Sequence, residues 1–320
     1  MSKNTVILKG LIYQSALEFL WNEGFVGIPY QGITNATGSC EAVSNVFTLK
    51  EETFQTLSQT VQLHLERDII LNGLPRMFST NRSFRKDNKN WSSDGRHLND
   101  FELLETEALD TDLNWLLKHC SDLLNYIFTN TLHISSKYGL LTPEQHHNLY
   151  IYYEKGFQVI TYTEAIEILQ KEYSLNINWG DDLKSDHEQM LVKYFDSNLM
   201  ITHYPELIKF FNMKLTRDCD PSRQTCDCVD VILKHSGESI GGSVREYDYD
   251  ILKKRLYEGT MIKQLKELKI LHDNKPEEIT DSFEEYLNLF KNNPVERSGM
   301  GLGFGRVTQF ILGSDEIIPF

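Results

Sequence analysis

The 320-residue sequence has no hydrophobic run near the roughly 18 apolar residues that a membrane-spanning helix needs. Its start, MSKNTVILKG, lacks the charged segment and long apolar stretch that mark a secretion signal. Lys and Arg are also few, 32 against 46 Asp and Glu, and the formal net charge is −14. Because binding to nucleic-acid phosphates depends on clustered basic residues, this balance argues against a general nucleic-acid-binding protein. We expect a cytoplasmic protein without a membrane partner.

Cysteines number only five, which is odd and gives no basis for a disulfide framework in such a protein. Three of them, Cys219, Cys226 and Cys228, lie close together in the sequence. A structural zinc site normally shows two separated cysteine pairs, or a cysteine pair with a histidine pair. The spacing therefore favours small side chains at the start of a strand, and we assign no zinc.

The hydrophobic periodicity alternates between helical and extended segments, with no repeat, low-complexity segment or long linker. It predicts helices at 12–23, 59–72, 111–135, 163–172 and 248–257, and a Gly-rich turn followed by an apolar helix over 299–312. It predicts strands at 25–30, 46–49, 76–84, 98–107, 200–204, 230–235 and 241–247. A polar stretch between the strands at 76–84 and 98–107 indicates a hairpin with a long loop. Strands in both halves with helices between them predict an α+β fold, an antiparallel sheet flanked by helices.

Two segments carry arginines suited to a nucleotide. Arg85 ends the first strand of the hairpin, where a guanidinium can hold a phosphate or carboxylate by two parallel hydrogen bonds. Arg306 follows the alternating glycines of GMGLGFGR, which would let a flat ring lie close to the backbone. These glycines match neither the Walker loop, which needs Gly-Lys-Ser/Thr, nor the early strand–turn–helix of a Rossmann domain.

A third segment, DVILKHSGESIGGSVR, contains two carboxylates and an arginine. Asp230 and Glu238 on neighbouring strand segments could hold Mg²⁺ against a triphosphate, because Mg²⁺ prefers oxygen ligands shared with substrate phosphates. Arg245 would then face the pocket as a carboxylate clamp. Taken singly, all these residues could equally be ordinary surface or strand-end charges.

Together the segments resemble the catalytic core of class II aminoacyl-tRNA synthetases, within the aspartyl/asparaginyl group. The resemblance runs in the family's order through SCEA (39–42), LSQTVQLHLE (57–66), SFRKD (83–87), GRHLNDFELLETE (95–107), ITYTEAIEIL (160–169), GESIGGSVR (237–245) and GMGLGFGR (299–306). It covers nearly the whole chain, and it implies one catalytic domain over 1–320 without the N-terminal β-barrel that reads the anticodon. It further implies ATP and Mg²⁺ as cofactors, and a homodimer.

The resemblance also implies a role for each matching position. Arg85 and Arg306 would be the catalytic arginines. The residues that would serve ATP are Arg85, Lys86, Asp87, Arg96, His97, Leu98, Phe101, Glu238, Gly303, Phe304, Gly305 and Arg306, with adenine between Phe101 and Arg306. The amino acid would be bound by Glu41, Gln59, Gln62, Glu105, Gly241 and Arg245. Asp230 and Glu238 would hold the metal.

Several positions depart from the aspartyl pattern. Leu65 stands where aspartyl enzymes have a lysine, and this segment therefore resembles the asparaginyl branch more than the aspartyl branch. Gly305 replaces the usual glutamate before the last arginine, only Pro29 stands near the expected Thr-Pro, and the chain ends at IIPF.

With no barrel, we expect tRNA to be an improbable partner. The leading hypothesis is an ATP-dependent ligase like the related archaeal asparagine synthetase. It would adenylate a small-molecule or peptide substrate with an Asp/Asn-type carboxyl and pass it to ammonia or another amine. One alternative is an asparaginyl-tRNA synthetase paralogue. The other is a peptide-tailoring enzyme that activates an Asp or Asn residue for amidation or dehydration.

Overall fold

A computed structural model of the protein describes residues 1–34, 46–50, 55–86, 98–259 and 277–320. The helices in these parts are α1 (Lys3–Asn22), α2 (Gln62–Asn72), α3 (Leu113–Tyr138), α4 (Pro143–Lys155), α5 (Tyr162–Tyr173), α6 (Ser185–Phe195), α7 (Tyr249–Glu258), α8 (Glu277–Asn292) and α9 (Phe304–Leu312). The strands are β1 (Val26–Gly27), β2 (Ile33–Thr34), β3 (Thr48–Lys50), β4 (Gln55–Leu57), β5 (Arg76–Phe84), β6 (Asp100–Leu109), β7 (Phe157–Thr161), β8 (Asn198–Thr202), β9 (Cys228–Leu233), β10 (Gly237–Arg245) and β11 (Arg297–Gly303).

Eight strands form one sheet in the order β1-β5-β6-β11-β10-β9-β8-β7. The two outermost pairings, β1 with β5 and β7 with β8, are parallel. Every pairing between them is antiparallel. β2, β4 and β3 form a small second sheet. The predicted α+β architecture is confirmed, and β5 and β6 form the predicted hairpin, with Phe84 opposite Asp100 at its loop end.

One face of the large sheet is apolar and lies against α1, α3, α4 and α9. The strands contribute side chains that are fully buried, among them Leu104, Val231, Ile240 and Leu302. α3 begins where the Asp112 side chain accepts the Trp115 N–H, and it ends at Gly139 in the left-handed region. This apolar face fixes the sheet in place, and the other face is left for polar groups on β6, β11 and β10.

The first helix is longer than predicted. It begins at Lys3 and not at 12, because Ser2 caps it by accepting the Thr5 N–H at 3.1 Å, and it ends before Gly24 at φ +78°. Trp21 is 58% exposed and only meets the Phe78 ring edge-on, while the buried face runs through Leu8, Ile12 and other apolar residues.

The described elements that were not predicted as helices or strands include α4, α6, α8, β2, β4 and β7. α4 starts with a capping box at Thr142, but it buries only Leu149 and Tyr152, so its apolar period is weak. α5 and α6 cover a second apolar cluster with Ile160, Leu191 and Ile201. Among the described helices, none has the length and hydrophobicity that crossing a bilayer demands.

Candidate active site

The second face of the sheet carries glycines and charged residues in register. One row across four strands joins Glu105 of β6, Gly301 of β11, Gly241 of β10 and Asp230 of β9. Directly paired residues project to the same face of a sheet, so this row is a floor with no side chains at its centre and carboxylates at its ends.

The next row shows that not all of the glycines leave open space. It joins Glu107, Gly299 and Ser243. A Cβ placed on Gly299 would lie 2.1 Å from Glu107 Oε1 and 2.3 Å from the Thr106 carbonyl oxygen. Glycine is required here because the Glu107 carboxylate leans across β11 towards β10.

The other two glycines of β11 keep the floor open. The nearest atom to a Cβ on Gly301 would be Glu105 Cγ at 3.7 Å, and for Gly303 it would be Arg306 Cγ at 3.5 Å. These are ordinary van der Waals distances, so a flat group could rest on Gly301 and Gly303. The predicted close approach of a ring therefore applies to these two positions and not to Gly299.

The Glu107 side chain extends across the sheet and contacts Arg245. Its Nη2 donates to Glu107 Oε1 at 2.6 Å and its Nε to the same oxygen at 3.2 Å, while its Nη1 donates to Ser243 Oγ at 2.7 Å. Arg245 is only 3% exposed. Arg245 is therefore a buried, oriented guanidinium that already holds a carboxylate, and its role as a clamp for the substrate stays a prediction.

Arg245 lies directly opposite a second buried arginine, Arg297 of β11. Like charges facing each other on neighbouring strands destabilise a sheet. Glu66 of α2, itself fully buried, relieves this repulsion by binding Arg297 through Nε at 2.9 Å and through Nη2, and it lies 3.9 Å from Arg245 Nε. Tyr286 also donates to Glu66, at 2.8 Å.

The two carboxylates of this network differ in acidity. Burial opposes the ionisation of Glu66, but Arg297 and Arg245 outweigh it and hold the pKa of Glu66 below its usual value. Burial raises the pKa of Glu107 to about 7 in spite of Arg245, and the negative charge of Glu66 adds to the rise.

The amide and carboxylate side chains predicted to bind the amino acid lie beside this network. Gln62 Nε2 donates to Glu66 Oε1 at 2.8 Å, and Gln59 is buried to 1% exposure. Glu105 accepts the Val61 N–H at 2.9 Å and the Thr60 hydroxyl, and burial raises its pKa. Glu105 thus also anchors the start of α2.

At the other end of the floor, Arg85 follows β5. Its N–H donates to the Asn99 carbonyl at 3.0 Å, and its guanidinium lies 4.7 Å from the centre of the Phe101 ring. Phe101 therefore faces Arg85. Lys86 is exposed and Leu98 is partly buried. Glu41, Asp87, Arg96 and His97 lie outside the described residues.

Arg306 stands on the first turn of α9 and its Nη1 donates to the Ser236 carbonyl. The end of β5, the start of β6 and the end of β11 are neighbours in the sheet, so Arg306 lies at the same end of the sheet as Arg85. The Phe304 side chain is fully buried against Tyr13 and Phe320 on the apolar face, so only its backbone can face a nucleotide.

Gly305 also faces away from the floor. A Cβ there would lie 2.9 Å from the Ile318 carbonyl oxygen. The C-terminal segment therefore packs on the position where the family's glutamate was expected.

Asp230 and Glu238 converge on Gly241. A Cβ on Gly241 would lie 2.7 Å from Glu238 Oε1 and 3.8 Å from Asp230 Oδ1. Asp230 Oδ2 accepts from Lys209 Nζ at 2.7 Å, and the pKa of Lys209 rises above its usual value because this carboxylate outweighs the effect of burial. One oxygen of Asp230 and the exposed Glu238 carboxylate thus remain on the floor side.

These two carboxylates fit Mg²⁺. The ion usually takes one or two carboxylates and completes its octahedron with water and substrate phosphates. Within the described ranges no group of three or more His, Cys, Asp or Glu residues could form an all-protein metal site. Asp230 and Glu238 are therefore the carboxylates that, among the described residues, would hold the metal.

Comparisons with known proteins agree with this geometry. The chain matches the family of class II tRNA synthetases (D, K and N) over residues 1–319. It is 34% identical to the asparagine–tRNA ligases of Thermococcus kodakarensis and Pyrococcus furiosus, over 97% of its length. This chain belongs to the class II tRNA synthetases of the D, K and N group.

A solved structure supports the same assignment. Asparaginyl-tRNA synthetase from Pyrococcus horikoshii, complexed with asparaginyl-adenylate, superposes with a TM-score of 0.81 at 31% identity, over 98% of this class II chain. The match covers 66% of the horikoshii chain, and the sequence matches cover 66% and 65% of the two ligases. This synthetase chain therefore spans slightly less than two thirds of the length of these relatives.

Several residues of this synthetase site were not predicted from the sequence. They are Glu66, Glu107, Ser243, Arg297, Lys209 and Glu188. Glu188 of α6 is buried, accepts the Glu238 N–H at 3.2 Å, and has its pKa raised to about 7 by burial and by the charge of Asp230. Glu66, Glu107 and Ser243 lie in segments that carry the resemblance, whereas Arg297, Lys209 and Glu188 lie outside those segments.

Proposed function

We propose that this class II synthetase condenses asparagine with ATP to form asparaginyl-adenylate and pyrophosphate, and then transfers the asparaginyl group to tRNA. The observation that carries the proposal is its likeness to asparaginyl-tRNA synthetase complexed with asparaginyl-adenylate, at 31% identity and a TM-score of 0.81. The asparagine–tRNA ligases at 34% identity support the same substrate and acceptor. They do not support our expectation that tRNA is an improbable partner, nor the ammonia acceptor.

The geometry supports an acyl-adenylate reaction on the glycine floor. An α-carboxylate oxygen of asparagine attacks the α-phosphorus of ATP, the bond to the bridging oxygen breaks, and pyrophosphate leaves. Arg85 and Arg306, at one end of the sheet, would neutralise charge on the phosphates during this displacement. Gly301 and Gly303 would let the nucleotide and the acyl group approach the backbone closely.

The other end of the floor would orient the amino acid. Arg245, fixed by Glu107 and Ser243, would meet the side-chain amide through the edge of its guanidinium. Asp230 and Glu238 would hold Mg²⁺, which shields the triphosphate when bound. The protein's contribution is positioning and charge neutralisation, and no covalent enzyme intermediate is needed.

Amino-acid-dependent exchange of pyrophosphate into ATP tests the adenylation step. We expect exchange with asparagine and much less with aspartate. Arg306→Ala should lower it about 100-fold or more, as the loss of one stabilising donor does in other enzymes. Arg223→Ala, which removes an arginine stacked on Trp179 outside the site, should leave the rate unchanged. Wild-type exchange no greater with asparagine than without it would disprove the proposal.

The acceptor is tested separately. Charging of tRNA with asparagine supports the proposal, whereas AMP release that depends on ammonia and aspartate would return the asparagine-synthetase hypothesis to the lead. AMP release only with an Asp- or Asn-containing peptide would favour the tailoring hypothesis. The homodimer stays a prediction, which sedimentation of the purified chain can check.

A further inference from the structure

We propose that the outer edge of β7 is a docking site for a basic, extended segment of a partner protein, which would bind there as an added strand. The site lies away from the glycine floor. β10, β9 and β8 separate β7 from β11, the strand that carries Gly301 and Gly303. The proposal therefore does not rest on adenylation or tRNA charging, and either proposal can fail without the other.

β7 is an edge strand without the features that usually protect one. Among the described residues it pairs with β8 on one side, and no strand pairs with its other side. Soluble proteins commonly protect such an edge with a lysine, a proline, a bulge or a very short strand. β7 has the sequence FQVIT, and its register with β8 is continuous from Phe157 to Thr161. Its edge therefore resembles a strand that awaits a partner.

The direction of two carbonyls shows which backbone groups face the open edge. The Ile160 carbonyl accepts the Thr202 hydroxyl of β8 at 3.3 Å. Successive residues of a strand direct their N–H and C=O groups to opposite sides, so those of Val159 point to the edge. There the Val159 carbonyl accepts the side-chain amide of Gln158 at 3.3 Å. Gln158 is exposed, so the N–H of an added strand could replace this amide.

A groove of about 360 Å³ lies beside β7 and provides an apolar contact for such a strand. Its apolar lining includes Val159 of β7, Ile168 of α5, and Tyr194 and Phe195 of α6. Val159 and Tyr194 are each 47% exposed. An added strand would remove this apolar surface from water while it pairs with the backbone of β7.

The rim of the groove is acidic, and this decides the charge of the occupant. α5 contributes Glu164, Glu167, Lys171 and Glu172, three carboxylates against one ammonium group. Their spacing by three and four residues places them on one face of the helix, and all four are exposed. The rim therefore attracts a basic segment and repels an acidic segment or a nucleic acid.

The spacing of the carboxylates fits an extended chain. Glu164 and Glu172 are separated by about 12 Å along the axis of α5. Alternate residues of a strand point to one face, and the first and third of three such residues are about 13 Å apart. Lysine stems also cover apolar surface while their ammonium groups reach outwards. The occupant would thus carry basic residues at alternate positions with β-branched residues between them.

The test uses the end-blocked, fluorescently labelled peptide VKVKVKV as the probe. We expect it to bind the 320-residue chain saturably in fluorescence anisotropy, and its dissociation constant to be at least about tenfold lower than that of VEVEVEV. The two peptides share length and β-branched residues and differ in the sign of their charge. Failure of VKVKVKV to bind, or equal binding of the two peptides, would overturn the proposal.

Two charge reversals on the rim locate the attraction. Glu167→Lys combined with Glu172→Lys should raise the dissociation constant of VKVKVKV about tenfold or more. Glu258→Lys combined with Glu284→Lys is the matched control, because it makes the same change in net charge at exposed positions of α7 and α8. The control should stay within about twofold of the wild type. Equal binding by the two double variants would show that the rim does not recognise the peptide, against the proposal.

Hydrogen exchange in the wild type tests the strand pairing without any variant. Saturating VKVKVKV should slow the exchange of the Val159 amide at least about tenfold, because an added strand gives this N–H a bonded partner. Peptide binding that leaves the exchange of β7 unchanged would contradict the proposal. Sedimentation of Val159→Lys, which adds a protecting charge to the edge, tests another occupant. A wild-type dimer that this variant dissociates would make a second copy the occupant and would also overturn the proposal.

Discussion

The two faces of the central sheet are held by different forces. On the apolar face, side chains such as Leu302, Ile240 and Val231 are fully buried against helices, and each contributes roughly 1.5–3 kcal/mol through removal from water. On the glycine face, Glu66, Arg297 and Arg245 are just as buried but carry charge. Their attraction is largely offset by the loss of hydration. The apolar face thus supplies stability, and the glycine face supplies a charge arrangement that is stable only while it is complete.

The largest expected effect comes from removing one charged residue from the glycine face. Arg297→Met removes the main partner of Glu66 and leaves a fully buried carboxylate whose neighbouring cation is Arg245, at 3.9 Å. We expect a loss of about 3–5 kcal/mol in the free energy of unfolding, measured by urea denaturation. The double variant Glu66→Gln, Arg297→Met should recover part of this loss, since no unmatched ion remains. A double variant that is the sum of the two single variants would contradict the comparison.

The next effect tests the apolar face on the same strand. Leu302→Ala removes a fully buried side chain paired with Ile240 and Leu104, and it should reduce the free energy of unfolding by about 2–5 kcal/mol. Val159→Ala is the control, because Val159 lies on β7 and is 47% exposed. The control should stay within about 0.5 kcal/mol of the wild type. Equal losses in both variants would mean that the apolar face is not the source of stability.

The glycines of β11 allow a sharper test within the polar face. Gly299→Ala would push a methyl group into Glu107 and the Thr106 carbonyl, so we expect it to lower the free energy of unfolding by about 1–3 kcal/mol. Gly301→Ala meets only an ordinary contact and should leave stability near the wild-type value. Gly301→Ala should instead reduce asparagine-dependent pyrophosphate exchange, because its methyl group occupies the open floor. If urea denaturation gave the two variants equal stability, this would contradict the distinction between Gly299, whose neighbouring space is occupied, and Gly301, whose neighbouring space is open.

The same contrast explains what could be predicted from the sequence. The strand at 76–84 was predicted with the bounds that the structure has, because RMFSTNRSF is flanked by clear turn residues. Arg85 and Arg306 were predicted to lie near each other because they belong to family segments in a fixed order, and the structure places them at the same end of the sheet. The Glu66–Arg297 pair was not predicted. Its members are 231 residues apart and no local pattern indicates a buried charge.

The hydrophobic periodicity also failed to predict an element that buries few residues. α4 buries only Leu149 and Tyr152, so its apolar period is too weak to read. The sequence does not show that the space beside Gly301 is open and the space beside Gly299 is occupied, because both residues are alternate glycines of one strand. Only the register of β6 and β10 on either side decides which glycine lies beneath a carboxylate.

The smallest expected effect concerns His119, a buried ionisable side chain of α3 that contacts Phe19 of α1. It is 5% exposed and stacks on Trp115 at 4.7 Å and on Phe25 at 5.1 Å. Burial lowers the pKa of His119 to about 4, and the nearby Arg76 adds to the decrease. Between pH 6.5 and 4 the unfolded chain therefore binds a proton that the folded chain does not, and stability falls as the pH is lowered.

His119→Phe removes this titration and preserves the ring stack. From pH 7.5 to 5.5 the wild type should lose about 1.3 kcal/mol more in the free energy of unfolding than the variant does, with all other titrating groups shared by both. Urea denaturation at the two pH values measures the difference. His147→Phe, at an exposed position on α4, is the matched control and should follow the wild type within error. A variant as acid-sensitive as the wild type would mean that His119 is protonated inside the fold, and the apolar region would then tolerate a charge just as the glycine face does.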